Sequence, residues 1–302
     1  MMADKELVPE LEKGHYSDGH PLDEVHYLEC KIILKPDRFT SKQGFIDFAK
    51  IVKQAAEKAD IDLSTGHLEG QRPEIREVVF LDTSDFRLYN HAFILRRRIT
   101  YEDGFPVGDP EVVFKFRHPD AQKAADLDVR PHIPGVYKIK FKAEMLPLKD
   151  KLGGMRILYS HNAEFGLSQA KLADRTAMAT LLRFFPCLAP LKRSTADTVE
   201  LVNQMIVEEV LFDLGKVDFG KGVVAKNDLA LWRARGDHSA LIGEYSFQAK
   251  FDRKDDLHPK VQRRVEEFFV AVQGHAHDWV SLGTTKTGIV YRLKGNPPQA
   301  HE

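Results

Sequence analysis

YKIKFKAE, residues 137–144, decides how this chain is read. In an extended strand, successive side chains point to opposite faces. Tyr137, Ile139, Phe141 and Ala143 therefore share one face, and Lys138, Lys140, Lys142 and Glu144 the other. The same division recurs in four further stretches. YLECK (27–31) puts Tyr27, Glu29 and Lys31 together, and FILRRRI (93–99) puts Arg96 with Arg98 and Arg97 opposite. EVVFKFR (111–117) sets Glu111, Lys115 and Arg117 against Val112, Phe114 and Phe116. GEYSFQAK (243–250) sets Glu244, Ser246, Gln248 and Lys250 against Tyr245, Phe247 and Ala249.

One such strand is most simply a half-exposed strand in a sheet with one solvated face. Five together weaken that reading, because a flat array of Lys and Arg on open solvent repels itself. If the sheet closes, the same residues converge on a lumen. Converging cations are costly unless a polyanion or carboxylates neutralise them. About ten basic groups with a few carboxylates predict a ligand of several phosphates and a divalent cation. Guanidinium forks suit phosphate oxygens, ammonium groups supply point charge, and carboxylates hold a metal.

The rest of the chain supplies the frame. Strands are predicted over 24–34, 76–83, 92–101, 111–117, 135–145, 205–215, 222–235 and 240–251. Asp103-Gly104 and Gly108–Pro110 read as turns. Thr40 with Gln43 has the spacing of a capping box, and Phe45, Phe48, Ala49 and Val52 follow at helical spacing, so a helix is expected over Ser41–Ala59. A second runs over His258–Val272, with Pro259 in its first turn and Val261, Val265, Phe268, Phe269 and Val272 on one face. A helical section is expected within 168–185, closed by Pro186 and Pro190, while TVELV (198–202) favours a strand. The pattern is that of an α+β chain, equally suited to a barrel with a polar lumen or to a sandwich.

Composition narrows the function classes. The 302 residues carry 44 Lys+Arg and 45 Asp+Glu, for a net charge of −1, so no global field draws the protein to DNA or a membrane. Two cysteines, Cys30 and Cys187, exclude a disulfide scaffold and a cysteine zinc cluster and fit a reducing compartment. The charged N-terminus has no apolar signal core, and no apolar run approaches the ~20 residues of a membrane span. A cytoplasmic setting is expected. Residues 1–20 and 296–302 read as polar tails around one domain over 21–295.

Glu29-Cys30-Lys31 resembles the second half of the ExExK signature of the CYTH, or triphosphate tunnel metalloenzyme, superfamily. VVFLDTSDFRLYNHAFILRRR (78–98) resembles that family's "YFDT…L…G..LR.R" stretch, and VVFKFR (112–117) its following strand. VLFDLG (210–215) and GEYSFQ (243–248) are similar to its returning strands, and TTKTG (284–288) to the closing segment of the related polyphosphate-polymerase domain. The resemblance spans roughly 24–293 and implies an eight-stranded antiparallel β-barrel with helices packed outside. It also implies a metal-dependent phosphohydrolase acting on a triphosphate or polyphosphate, with Mg²⁺ or Mn²⁺.

Carried over residue by residue, Lys31, Arg96, Arg98 and Lys115 clamp phosphate, and Glu29 and Glu244 hold the metal. Glu29 and Lys31 are then the catalytic pair. Shared strand parity adds Arg117, Lys138 and Lys140 to the phosphate set. The sequence departs from the signature at Tyr27, where the family has its first Glu, and at Ser246, where a second acidic residue is expected. Three lysines, Lys138, Lys140 and Lys142, stand where Arg and Glu are usual. Glu209 or Asp213 are the next carboxylates to consider. These departures leave binding better provided for than catalysis, so a non-hydrolytic binder of polyphosphate or a nucleotide is the second reading. Cyclisation of ATP is a weaker third, since nothing marks an adenine pocket.

Other signals carry less. His275 and His277 beside Asp278 lack a third metal ligand, and Cys30 falls opposite Glu29 and Lys31, which makes it a small buried hydrophobe. Gly153-Gly154 and Gly220-Lys221-Gly222 lack Walker spacing and read as turns.

Overall fold

The computed structural model describes residues 24–64, 66, 68–170, 177–194, 196–251 and 257–294. Both tails read from the sequence lie outside the described residues. Strands and α-helices follow in the order β1 (Tyr27–Leu34), α1 (Lys42–Lys58), β2 (Asp62–Ser64), β3 (Glu74–Asp82), α2 (Arg87–Asn90), β4 (Phe93–Glu102) and β5 (Phe105–His118). After these come α3 (Ala121–Asp126), β6 (Tyr137–Pro147), β7 (Met155–Gly166), α4 (Met178–Phe184) and β8 (Glu200–Leu201). The last are β9 (Val207–Asp218), β10 (Val224–Ala234), β11 (Ala240–Lys250), α5 (Pro259–His275) and α6 (Lys286–Tyr291).

Nine strands close into a barrel in the order β9-β10-β11-β1-β6-β7-β5-β4-β3, and β3 pairs back onto β9 to complete the ring. The short β2 and β8 extend β9 and β3 outside it. The expected eight-stranded antiparallel barrel is thus a nine-stranded mixed one. An odd number of strands cannot alternate direction all the way round, and the one parallel pair is β1 with β6, in register Glu29↔Glu144. The ninth strand is β7, to which the sequence reading assigned no element. Its inward residues Ser160, Asn162 and Glu164 mix neutral and acidic groups and lack the run of basic residues that marks its neighbours.

The helices cover the outside for the reason their sequence period suggests. Ser41 caps α1 by accepting from Gln43 N, one residue later than the Thr40 spacing implied. Phe45, Phe48, Val52 and Ala55 of α1 and Val261, Val265, Phe268 and Val272 of α5 bury against the outward faces of β1, β9, β10 and β11. Cys30 belongs to this layer, as its parity required. A second layer gathers Phe93, Phe114, Ile139, Phe165 and Phe185 outside β4 to β7. The third is different, because it draws on inward-facing positions. Ile33, Val78, Phe80, Ile94 and Trp232 meet Val290 and Tyr291 of α6 and fill one end of the barrel.

Gly108–Pro110 is not a turn. The β4–β5 hairpin runs through it, with a register shift between Arg98 and Thr100 and Gly108 at φ +74°. Three residues of β5 (108–110) stand opposite one of β4 (Ile99), and the two extra residues are taken up where glycine's positive φ permits. Among the described residues of the 168–185 section, α4 is the α-helix and a 3₁₀ turn over Leu167–Ala170 precedes it, with 171–176 outside the described residues; TVELV contributes only the two residues of β8. No helix among the described residues is long and apolar enough to cross a membrane.

A charged tunnel inside the barrel

The inward positions of the nine strands, with Thr285–Thr287 at the start of α6, enclose a cavity of about 300 Å³. Ten basic side chains and five carboxylates line it. Six of the seven residues read as phosphate-binding are there: Lys31, Arg96, Arg98, Lys115, Arg117 and Lys140. Lys138 is the exception. It shares their parity but sits at the start of β6, where the side chain is exposed to solvent. Lys142, Arg76, Lys226 and Lys286 complete the basic set. Parity alone could have found Arg76 within 76–83, but a strand with a single inward cation does not stand out.

Of the acidic residues, Glu29, Glu209 and Glu244 line the cavity, as do Glu164 and Asp228. Asp213 does not; it is exposed and accepts from Gly215 N at a bulge. Glu144 lies beneath the lining with its side chain 0 % exposed. Its carboxylate accepts from Ser160 Oγ at 2.7 Å, pairs with Lys115, and stands 3.3 Å from Lys31 Nζ and 3.2 Å from Arg117 Nε. Burial would raise its pKa, but Arg117, Lys115 and Lys31 together hold it well below the usual carboxylate range. Burial and the neighbouring Arg117 push the Lys115 ammonium well down. These shifts oppose each other within one pair. The hydroxyl and three cations around Glu144 place the negative charge there, and crowding by Arg117 is what burdens Lys115.

Three other lining cations have one carboxylate partner each, whereas Arg76 and Lys286 each meet two. Lys140 pairs with Glu164, Arg98 with Glu111 at 2.7 Å, and Lys226 with Asp228 at 3.0 Å. Arg96 is not matched. Among the described residues it makes no ion pair, and its buried Nε has no acceptor. Burial and the nearby Arg98 lower its pKa.

The expected metal ligands are also placed. Glu29 faces Gln248 across the β1–β11 ladder, whereas Glu244 faces Ile33. Four strand positions separate them, about 13 Å at the usual rise. Each already holds ammonium groups: Glu29 is 3.0 Å from Lys31 and 3.2 Å from Lys142, and Glu244 is 2.8 Å from Lys286. Among the described residues no three His, Cys, Asp or Glu side chains gather to hold a metal ion. Glu29 and Glu244 do not fit a single shared divalent ion. Tyr27, in place of the first signature Glu, lies beneath two lysines, with Lys140 and Lys142 at 5.9 and 5.7 Å from its ring centroid. The Asp82-Thr83 part of the family-like stretch is structural, because the Asp82 carboxylate accepts from the backbone N–H of Thr83, Leu88 and Tyr89.

No protein-family model matches the sequence, and no curated protein is similar to it. Among solved structures, the chain is similar to a candidate adenylyl cyclase from Hippeastrum described as having a dominant triphosphatase activity. That match has 11 % identity and a TM-score of 0.41, over 90 % of this chain and 98 % of that one. It is also similar to a candidate adenylate cyclase of Bacillus halodurans, with 13 % identity and a TM-score of 0.38 over 90 % and 98 %. A Pyrococcus horikoshii protein matches at 11 % identity and a TM-score of 0.32, over 82 % of this chain and 90 % of that one. A closed barrel with helices packed outside is what the resemblance to the CYTH superfamily implies, and the observed ring differs from it in its ninth strand and one parallel pair.

Proposed function

We propose that the tunnel binds a linear polyanion of several phosphates, of the inorganic triphosphate or nucleoside triphosphate class, and that the protein is a phosphohydrolase acting on its phosphoanhydride bonds. The observation that carries this reading is the excess of inward cations over lining carboxylates, with Arg96 left without a counter-ion. A half-buried guanidinium whose buried Nε has no acceptor is costly in the empty protein and is relieved by phosphate oxygens. Phosphoryl transfer needs little covalent help from a protein, so positioning and fixed positive charge around the transferring group account for most of the catalysis. Arg96, Lys115, Arg117 and Lys31 supply that charge from several sides. A second reading, binding without hydrolysis, is favoured by Tyr27 and Ser246 standing in place of carboxylates and by lysines holding Glu29 and Glu244.

A ligand that binds only the folded state stabilises it, by about 2.7 kcal/mol at a hundred times its dissociation constant. Millimolar inorganic triphosphate is therefore expected to raise the melting temperature clearly above that in chloride of equal ionic strength. An unchanged melting temperature would remove the polyanion reading. Arg96→Ala should weaken triphosphate binding by about 10- to 150-fold, the equivalent of one charge-assisted interaction of ~1.5–3 kcal/mol. Wild-type affinity in this variant, measured by calorimetry, would show that Arg96 does not face the ligand. Phosphate release from triphosphate, ATP and long-chain polyphosphate, each with Mg²⁺, Mn²⁺ or EDTA, separates hydrolase from binder.

A further inference from the structure

Two places in the tunnel bring carboxylates together, and at both an ammonium group stands between them. Lys31 Nζ lies 3.0 Å from Glu29 and 3.3 Å from Glu144, neighbours across the parallel β1–β6 pair. Lys286 Nζ lies 2.8 Å from Glu244 and 3.1 Å from Glu209, residues of β11 and β9 that strand β10 separates. The second bridge is the more constrained. The start of α6 delivers Lys286, with Thr285 capping the helix by accepting from Gly288 N. The ammonium sits 4.8 Å from the Trp232 ring centroid, and the indole N–H of Trp232 donates to the same Glu209 oxygen at 2.7 Å. Arg76 takes the other Glu209 oxygen at 3.3 Å. Both Glu209 oxygens are thus engaged by fixed donors.

We propose that Lys286 is a built-in counter-ion at the place where Glu209 and Glu244 converge, so that the tunnel takes its polyphosphate ligand free of divalent metal rather than as a metal complex. The inference rests on the polyanion reading above and deepens it by naming the form of the ligand. A carboxylate pair with no lysine between would be a ready site for a hard divalent cation. With Lys286 present, that negative charge is already matched, and a metal entering must displace an ammonium held by two carboxylates and an aromatic face. A phosphate chain carrying Mg²⁺ has less charge to offer Arg96 and the excess of cations over carboxylates in the lining, so the metal-free chain is the better ligand.

The test pairs two readouts on the full chain. Calorimetry with sodium tripolyphosphate is run in EDTA and again with Mg²⁺ in excess over the ligand. Mn²⁺ binding to the ligand-free protein is followed by electron paramagnetic resonance, for wild type, Lys286→Ala and Lys286→Gln. The expected results are binding in EDTA that Mg²⁺ weakens, no stoichiometric Mn²⁺ site in wild type, and a new Mn²⁺ site in Lys286→Ala or Lys286→Gln. Metal-free tripolyphosphate affinity in the variants should fall about tenfold or more, as unmatched carboxylates repel the ligand. Tripolyphosphate binding that requires Mg²⁺, or a stoichiometric Mn²⁺ site in wild type, overturns the inference while leaving the polyanion tunnel standing. Absence of binding under both conditions overturns the tunnel reading itself. The wild-type measurements decide the matter even where a variant does not fold.

Discussion

Glu144→Ala is expected to lose about 3–5 kcal/mol of folding stability, because removing one member of a buried charge cluster leaves its partners uncompensated. The side chain is 0 % exposed and is the common partner of Lys31, Lys115 and Arg117. Without it three cations face one another, and the Ser160 hydroxyl loses its acceptor. Urea unfolding of both proteins measures the loss. The same experiment in triphosphate has a further expected result. Phosphate oxygens can stand in for the missing carboxylate, so the ligand should stabilise the variant by more than it stabilises wild type. A loss under about 1 kcal/mol would mean that the cluster is not held by this carboxylate. Equal stabilisation by ligand in both proteins would place the phosphates away from Glu144.

The second large effect is acid sensitivity through His161. This β7 residue is 2 % exposed, stacks on Phe141 at 4.8 Å between centroids, and lies with Nδ1 3.0 Å from the Ala124 carbonyl. Burial pushes its pKa down to about 4, against hydrogen bonds to Ala124 and Leu127 that pull it up. In the unfolded chain it titrates near 6.5. Below that pH the unfolded chain binds a proton that the folded protein refuses, so stability is complete above ~6.5 and falls toward pH 4. The full shift corresponds to about 3 kcal/mol. Urea unfolding between pH 7.5 and pH 4.5 should show wild type losing stability more steeply than His161→Phe, by about one proton in the slope. Identical slopes would assign the acid sensitivity elsewhere.

How far the barrel was legible depended on how strongly each strand advertised its faces. Lys140 and Lys142 alternate with Ile139 and Phe141, and the parity of that one strand located the lumen. Glu29, Lys31, Arg96, Arg98, Lys115 and Arg117 followed by the same rule, and all of them line the cavity. Strand β7 stayed hidden because Ser160 and Asn162 give no charge contrast against His161. With it went the parallel β1–β6 pairing, and so the adjacency of Glu29 and Glu144. Lys138 shows the limit of parity, which fixes the direction of a side chain but not its depth along the barrel. Lys286 shows another limit. It enters from a short helix at the end of the chain, and strand periodicity says nothing of it. The pairing of Glu29 with Glu244 failed for lack of register, which no single strand contains.

The ring is closed by contacts that are remote along the chain. β1 has β6 on one side and β11 on the other, with Tyr27 opposite Lys250 near the far end of the barrel sequence, and β3 must find β9 to seal the opposite seam. During synthesis β1 therefore leaves the ribosome with neither neighbour made, and its apolar face (Leu28, Cys30, Ile32) waits for α5 and β11, both of which come late. Folds dominated by such non-local pairings are slow to form and expose unpaired edges while they wait. A truncation that removes β11 should thus do more than shorten the tunnel. It would leave β1 and β10 as permanently open edges on which chains can pair and aggregate.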